Sequence, residues 1–323
     1  MTRLVLPALR ADDTLGFLAA LGLLELCDSG LHVPVRLGWE GSSGAAVLDA
    51  PYDDVGGLAS AVGRLAAGLS ADGRLIPGSD ASLIRPPLGT HERKAMEDPG
   101  SLDPMRLPVG PAIARFQAMQ DTETSDVARV DARWLTALVN QVTPAKRDAS
   151  DRRLTPLYSP SGQMTLHQLY RDSIGAVVRR PELLHEALSG WRRYPGAGAN
   201  LDSRALVDAA EASRGKPSNR EVPGATWLAL QSVPWFTQVG DGVRGATAGW
   251  LYPRGGALLR WPIWTPLLDP AAVRVLLSHP VITVDPLTPT AEVLGVCAVA
   301  QAGRRALSKS AGPLQPPTVR LAR

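Results

Sequence analysis

Residues 15–27 read LGFLAALGLLELC, a run in which Glu25 is the only charged side chain. Such a run predicts a helix that is apolar on nearly all sides, so most of its surface has to be buried. The preceding residues 12–14, read DDT, belong to the types that cap helix N-termini. Because glycine is costly inside a helix, we expect Gly16 and Gly22 to admit the close approach of a neighbouring backbone.

The rest of the chain alternates strand and helix patterns. Residues 2–6 predict a short strand, residues 33–39 and 45–48 predict a hairpin, and residues 52–69 predict a second helix. Further helical patterns occupy residues 111–120, 129–142, 165–180, 182–190, 202–213 and 270–278. Further strand patterns occupy residues 246–252, 257–264, 281–285 and 293–302.

Composition divides the chain into three regions. Residues 1–142 form an N-terminal α+β region with a long proline-rich loop over 70–110. Residues 143–220 form a basic helical region, and residues 221–323 form an α+β region whose five closely spaced tryptophans predict a second core. The sequence therefore predicts an α+β fold of antiparallel sheets with a helical middle region.

Several classes of protein are disfavoured by the composition. The chain has 323 residues, 45% of them apolar, which predicts a globular protein of one large or two ordinary domains. It has neither an apolar run of about 18 residues nor the pattern of a secretory signal. Cys27 and Cys297 are the only cysteines, and two thiols without a histidine pair at ligand spacing cannot hold zinc. We therefore expect a cytoplasmic protein with no membrane contact and no cofactor.

No catalytic motif emerges from the sequence. The chain lacks a lysine-bearing phosphate loop, a dinucleotide fingerprint after a strand and a serine nucleophile elbow. The glycine-dense residues 240–249 predict a hairpin turn instead, and the five histidines are isolated from one another. Residues 91–94, read HERK, are the one candidate acid–base or phosphate-contact cluster, and they lie in the 70–110 loop. The sequence thus predicts no catalytic residue, no metal site and no enzyme.

The formal net charge of +3 conceals an uneven distribution of charge. Residues 1–140 hold 12 basic and 18 acidic groups, whereas residues 141–220 hold 13 basic and 8 acidic groups. Only four of the 34 cations are lysines. Arginine pairs with phosphate through a planar fork, so the bias suits nucleic acid. A GC-rich coding sequence favours arginine as well, but it does not explain the concentration of positive charge in one region.

The cations of the middle region are the candidate nucleic-acid-binding residues. We expect eight of them to contact phosphates, namely Lys146, Arg147, Arg152, Arg153, Arg179, Arg180, Arg192 and Arg193. Aromatic side chains that could stack on unpaired bases lie among them, at Tyr158, Tyr170, Trp191 and Tyr194. The alternative is a helical surface of ordinary ion pairs, for which carboxylates are present at Asp148, Asp151, Asp172 and Glu186.

The order of several motifs resembles a known family. The apolar run at 15–26 is followed by an arginine-bearing stretch over 200–220, then by ATWLAL at 225–230 and PWF at 234–236. The sequence TAGW, the sequence WPIW and a last strand that ends in two arginines come next, at residues 247–250, 261–264 and 295–305. This order is similar to that of the CRISPR-associated subunits of type I-G (formerly I-U) interference complexes, either a large-subunit-like or an accessory member.

The resemblance implies a non-enzymatic nucleic-acid-binding subunit of a type I CRISPR effector (Cascade-like) complex. Such a subunit contacts guide RNA, target DNA or both in antiviral defence, and it assembles with the other effector subunits. Base pairing reads the sequence there while protein holds the backbone, a role that suits the eight cations. Two alternatives stay open: a metal-independent enzyme or ligand-binding effector with a site under the 70–110 loop, and a purely structural assembly subunit.

Overall fold

A computed structural model describes the greater part of the chain. The described residues are 1–41, 43–79, 106–108, 117, 126–144, 151–159, 166–196, 198–211, 219–241, 243, 245–253, 256–284, 289–304 and 312–321. The cluster at 91–94, the predicted helix over 111–120 except for Gln117, and the two cations Lys146 and Arg147 lie outside them.

The predicted apolar helix is confirmed as α1, Thr14–Glu25, and all of its twelve residues are buried. Its N-terminus is capped by Asp13, whose carboxylate accepts a hydrogen bond of 2.8 Å from the backbone N–H of Gly16. The helix continues into a π-helical turn, Leu26–Gly30. A helix buried on every side has to be enclosed by several elements, and the rest of the fold provides them.

Gly22 lies where α1 meets helix α7, Pro223–Leu230, another helix whose residues are all buried. A Cβ atom at position 22 would lie 1.7 Å from the backbone oxygen of Leu228, a distance that no side chain tolerates. Only glycine therefore lets the two backbones come this close, which confirms the expected use of this residue.

We expect Gly22→Ala to destabilise the protein by about 3 kcal/mol, because the methyl group would force α1 and α7 apart in a packed core. The measurement is the free energy of unfolding in urea, with circular dichroism as the probe. The matched control is Gly68→Ala in the second helix, α2, Val55–Ala71, where nothing lies within 4 Å of the added methyl group. A loss of stability no larger in Gly22→Ala than in the control would contradict the close packing.

The N-terminal sheet contains three antiparallel strands in the order β1-β3-β2. Strands β2, Arg36–Trp39, and β3, Ala45–Ala50, form the predicted hairpin, and β1, Thr2–Arg10, pairs with the other edge of β3. One face of this sheet is buried, as the alternation along β1 shows at Leu4 and Leu6. Strand β1 is longer than the predicted strand over residues 2–6.

The helical middle region is also confirmed. Its helices are α4, Leu166–Arg179, α5, Glu182–Ser189, and α6, Ala205–Glu211, and α3, Asp126–Leu138, precedes them. The buried α7 packs against α1, α4 and α5. A short antiparallel pair, β7, Tyr194–Pro195, and β8, Arg220–Glu221, accompanies them. Two further helices follow in the C-terminal part, α8, Pro270–Ser278, and α9, Pro289–Val293.

A second sheet occupies the C-terminal region, with its six strands in the order β14-β13-β12-β11-β10-β9. All of the neighbouring strands pair antiparallel. Their bounds are Gln238–Gly240 for β9, Gly245–Thr247 for β10, Trp250–Leu251 for β11, Leu258–Trp264 for β12, Val296–Gly303 for β13 and Thr318–Leu321 for β14.

The tryptophans of this region are buried, but the expected second core is instead part of one continuous hydrophobic core. The ring of Trp261 on β12 stacks on Phe17 of α1 at a centroid distance of 5.2 Å. The indole N–H groups of Trp261 and Trp264 donate to the backbone oxygens of Ala11 and Leu37, at 2.8 and 2.9 Å. These contacts join the C-terminal sheet to α1 and to the N-terminal strands.

A small third sheet lies within the middle of the chain. Its antiparallel strands are β4, Arg106–Pro108, β5, Val139–Pro144, and β6, Asp151–Leu154, in the order β4-β6-β5. The charged sequence DRRL of β6 has no strand pattern, and from the sequence alone residues 143–162 are expected to form a polar loop. That expectation is wrong for β6, because a strand between two others is held by pairing to both neighbours whatever its own propensity.

The described elements confirm an α+β fold of antiparallel sheets with a helical middle region. The three regions of the sequence contribute to the same hydrophobic core. Of the helices that the structure describes, none is both long and apolar enough to cross a lipid bilayer.

Candidate nucleic-acid interface

Three of the eight candidate cations are exposed at or after the end of α4, and we call Arg179, Arg180 and Arg192 the arginine surface. Arg179 is the last residue of α4 and is exposed. Its guanidinium lies over Gly175, one turn earlier in the same helix. No carboxylate of the described residues forms an ion pair with it, so this cation has no internal counter-charge in that part of the chain.

Arg180 follows α4 directly and is held in place by two neighbours. Its Nε donates to Glu182 at 2.9 Å, and its guanidinium carbon lies 4.5 Å from the ring centroid of Tyr194. The Arg180 side chain remains 46% exposed. An exposed ion pair of this kind contributes little to stability, so the charge stays available to a stronger anionic partner.

Arg192 is the most exposed member of the arginine surface, at 72% of its side chain. Its nearest carboxylate among the described residues is Glu186, at 4.0 Å. The hydroxyl of Tyr194 donates to the same carboxylate at 2.8 Å, and Arg180 donates to that hydroxyl. The Tyr194 hydroxyl and then the Glu186 carboxylate raise the pKa of Arg192, and the positive charge of Arg180 offsets part of this rise. The two cations therefore belong to one surface, with Tyr194 and Glu186 between them.

Arg193, the next residue, has a different environment. It donates two hydrogen bonds to the carboxylate of Asp208, one of them at 2.8 Å, and its Nε lies 3.8 Å from Asp202. Arg204 continues the chain of ion pairs from Asp202, at 2.7 Å, to Asp13, at 3.1 Å. Arg193 is thus engaged in an ion-pair chain that links α6, β7 and the cap of α1, and only 23% of its side chain is exposed.

The hydrogen bonds from Arg193 lower the pKa of Asp208 below its ordinary value. We expect Asp208→Asn to lose about 1–3 kcal/mol of stability at pH 7, since a charged hydrogen-bonded pair is broken. Because the pKa of Asp208 is lower in the folded state, its contribution is complete above about pH 5 and is lost as the pH falls through the folded-state pKa. Urea unfolding at pH 7 and pH 3 measures both effects.

The control for this prediction is Asp172→Asn. Asp172 pairs with Arg171 at 3.5 Å, but both side chains are more than half exposed, so its removal should change stability little at either pH. A difference between Asp208→Asn and the wild type that stays constant between pH 7 and pH 3 would contradict the role assigned to this carboxylate.

Arg152 and Arg153 lie in β6, where the structure describes the backbone. Arg153 is the backbone partner of Arg106 on β4, and Arg152 is the partner of Leu107. Adjacent residues of a strand belong to opposite faces, so the two arginines do not share one. Arg106 lies 47 positions before Arg153, and no local sequence pattern predicts that the two residues pair.

The four aromatic residues near these cations are not free stacking platforms. Tyr158 and Tyr170 are buried in the core, and the hydroxyl of Tyr170 donates to the backbone oxygen of Leu230 at 2.7 Å. Trp191 is half-buried, and the guanidinium of Arg204 lies 4.5 Å from its ring centroid. The guanidinium of Arg180 lies over the ring of Tyr194 in the same way. Tyr158 and Tyr170 therefore have no exposed ring face for the expected stacking of bases. A guanidinium group occupies one face of the ring in Trp191 and in Tyr194.

A separate charge cluster is buried near the start of the 70–110 loop. Glu25 accepts a hydrogen bond from Arg133 of α3, and its other oxygen lies 3.9 Å from Arg274 of α8. Burial raises the pKa of this carboxyl group. Within the first part of that loop, the hydroxyl of Ser79 donates to the carboxylate of Asp131 at 2.5 Å. These contacts fasten α1, α3 and α8 together.

The described residues contain no group of three or more histidine, cysteine, aspartate or glutamate side chains that could hold a metal ion. A comparison with protein-family models finds no match, and a comparison with curated protein sequences finds none either. The resemblance to CRISPR-associated subunits therefore stays a prediction.

Proposed function

We propose that the chain is a non-enzymatic nucleic-acid-binding subunit of a type I CRISPR effector complex, in which it contacts guide RNA, target DNA or both. The observation that supports this most is the arginine surface, three exposed cations in the region with the largest excess of positive charge, of which Arg180 and Arg192 are linked through Tyr194 and Glu186. The order of motifs described above supports the CRISPR assignment, and other effector subunits are the expected protein partners.

Binding at this surface requires charge and position but no chemical step. Guanidinium groups such as those of Arg179 and Arg192 form charge-assisted hydrogen bonds with phosphate oxygens, which fix the path of a nucleic-acid backbone. Glu182 and Glu186 hold two of the cations loosely in the unbound protein. A phosphate would replace these carboxylates as the partner, since each pair is solvated and weak.

We expect the double substitution Arg179→Glu and Arg192→Glu to weaken binding to single-stranded RNA and to duplex DNA at least tenfold at about 0.15 M salt. The plot of log K against log salt concentration should become shallower by roughly 0.7–0.9 for each lost phosphate contact. Fluorescence anisotropy with labelled oligonucleotides, repeated at several salt concentrations, measures both quantities.

The control is Arg36→Glu with Arg74→Glu, which changes the net charge equally at two other exposed arginines. Arg74 is as exposed as Arg180, at 46%, and also pairs with a nearby carboxylate. Equal affinities of the two double variants would refute the arginine surface and favour a purely structural subunit. Co-purification of a defined small RNA with other effector subunits tests the CRISPR assignment separately.

A further inference from the structure

Glu186 lies between two cations of the arginine surface. Its carboxylate is 4.0 Å from the guanidinium of Arg192, and it accepts a hydrogen bond of 2.8 Å from the hydroxyl of Tyr194. Arg180 donates to that same hydroxyl at 3.2 Å. A nucleic-acid backbone that is bound by Arg180 and Arg192 would therefore have a carboxylate beside it.

Tyr194 holds this carboxylate in place. Its hydroxyl is within hydrogen-bond distance of both oxygens of Glu186, at 2.8 and 3.0 Å, and its ring lies under the guanidinium of Arg180. The contact from Glu186 to Arg192, at 4.0 Å, is longer than a hydrogen bond. A phosphate that pairs with Arg192 would therefore leave Glu186 where it is, hydrogen-bonded to Tyr194.

The carboxylate of Glu186 can accept more than the one hydrogen that Tyr194 donates. An ionised carboxylate has two oxygens with about four lone-pair sites, whereas a tyrosine hydroxyl has a single hydrogen. The Glu186 side chain is 24% exposed, so a hydroxyl group of a bound molecule can reach it. Glu186 therefore presents a hydrogen-bond acceptor next to the phosphate-binding cations.

RNA and DNA differ in what they present to such an acceptor. Ribose carries a 2′-hydroxyl, which can donate a hydrogen bond, and deoxyribose has no hydroxyl at that position. A hydroxyl that donates to a carboxylate forms a short, charge-assisted hydrogen bond. The carboxylate repels the phosphates of both nucleic acids, but only RNA offsets this repulsion by a hydrogen bond. The arrangement therefore favours RNA.

We propose that Glu186 makes the arginine surface selective for RNA over DNA, by accepting a hydrogen bond from a ribose 2′-hydroxyl. This inference rests on the proposed function and names the nucleic acid that the surface takes. Glu186 is a contact residue, and Tyr194 is a positioning residue that holds the carboxylate. Single-stranded RNA should bind about tenfold more tightly than single-stranded DNA of the same sequence, since a hydrogen bond to a charged group has roughly this effect.

The first test is Glu186→Gln, which removes the charge of the acceptor and keeps its shape. The affinity for single-stranded DNA should rise, because a repulsion is lost, while the affinity for RNA changes little. The preference for RNA should fall from about tenfold to about threefold or less, since a charge-assisted hydrogen bond is roughly twice as strong as a neutral one. Fluorescence anisotropy at about 0.15 M salt measures the four affinities.

The matched control is Glu182→Gln, in the first turn of the same helix. Glu182 also lies beside a cation, at 2.9 Å from Arg180, so the variant causes the same change in net charge at the same surface. A phosphate on Arg180 would displace this carboxylate, which is more than half exposed. Glu182→Gln should therefore raise the affinities for RNA and DNA by the same factor and leave the preference intact.

A modified oligonucleotide separates the hydroxyl group from the shape of RNA. RNA with 2′-fluoro groups keeps the sugar conformation of RNA but has no hydroxyl to donate, so it should bind as weakly as DNA. Tyr194→Phe tests the positioning role, because it keeps the ring under Arg180 and removes only the hydroxyl. It should lower the preference for RNA as well, and it decides the question if Glu186→Gln does not fold.

The inference is overturned by equal affinities of the wild type for RNA and DNA, by an unchanged preference in Glu186→Gln, or by tight binding of the 2′-fluoro RNA. If the double variant Arg179→Glu and Arg192→Glu still binds nucleic acid weakly in such a case, the proposed function stands and this inference alone is wrong. If that double variant binds as tightly as its own control, both proposals fail.

Discussion

The architecture depends on how closely the backbone of α1 can be approached at Gly22. The backbone oxygen of Leu228 occupies the space that a Cβ atom at position 22 would need, so α7 lies directly against α1. On the β12 side, Phe17 meets Trp261 in a ring stack. The helix is therefore enclosed by the helical middle region and by the C-terminal sheet at once. Each fully buried leucine or phenylalanine contributes about 1.5–3 kcal/mol, so this enclosure accounts for much of the cohesion between the regions.

The burial of α1 was predictable because its cause is local. A run with one charge in thirteen residues has to be buried, and the capping role of Asp13 follows from its position before that run. Strand β6 was not predictable, because its sequence is charged and its strand conformation comes from pairing with residues up to 47 positions away. The register between strands that are distant in the chain produces no periodic pattern in the sequence.

The candidate site shows the same division between local and distant causes. The sequence indicates that the middle region is rich in arginine, but it does not separate Arg192 from Arg193. These neighbours differ because Asp202 and Asp208 bind the guanidinium of Arg193, whereas that of Arg192 stays in solvent. The two carboxylates come from α6 and from the loop before it. Tyr170 is similar, since its burial against Leu230 follows from the packing of α4 on α7.

The guanidinium groups that lie over Trp191 and Tyr194 would have a consequence for selectivity under the proposed function. With a cation on one face of each ring, the exposed arginines would be the principal means of attachment, and every nucleotide carries the same phosphate. A strand bound in this way would be held equally well whatever its base composition. That indifference would allow one protein to serve with any number of unrelated guides, and it would leave all discrimination to the pairing of the strands themselves.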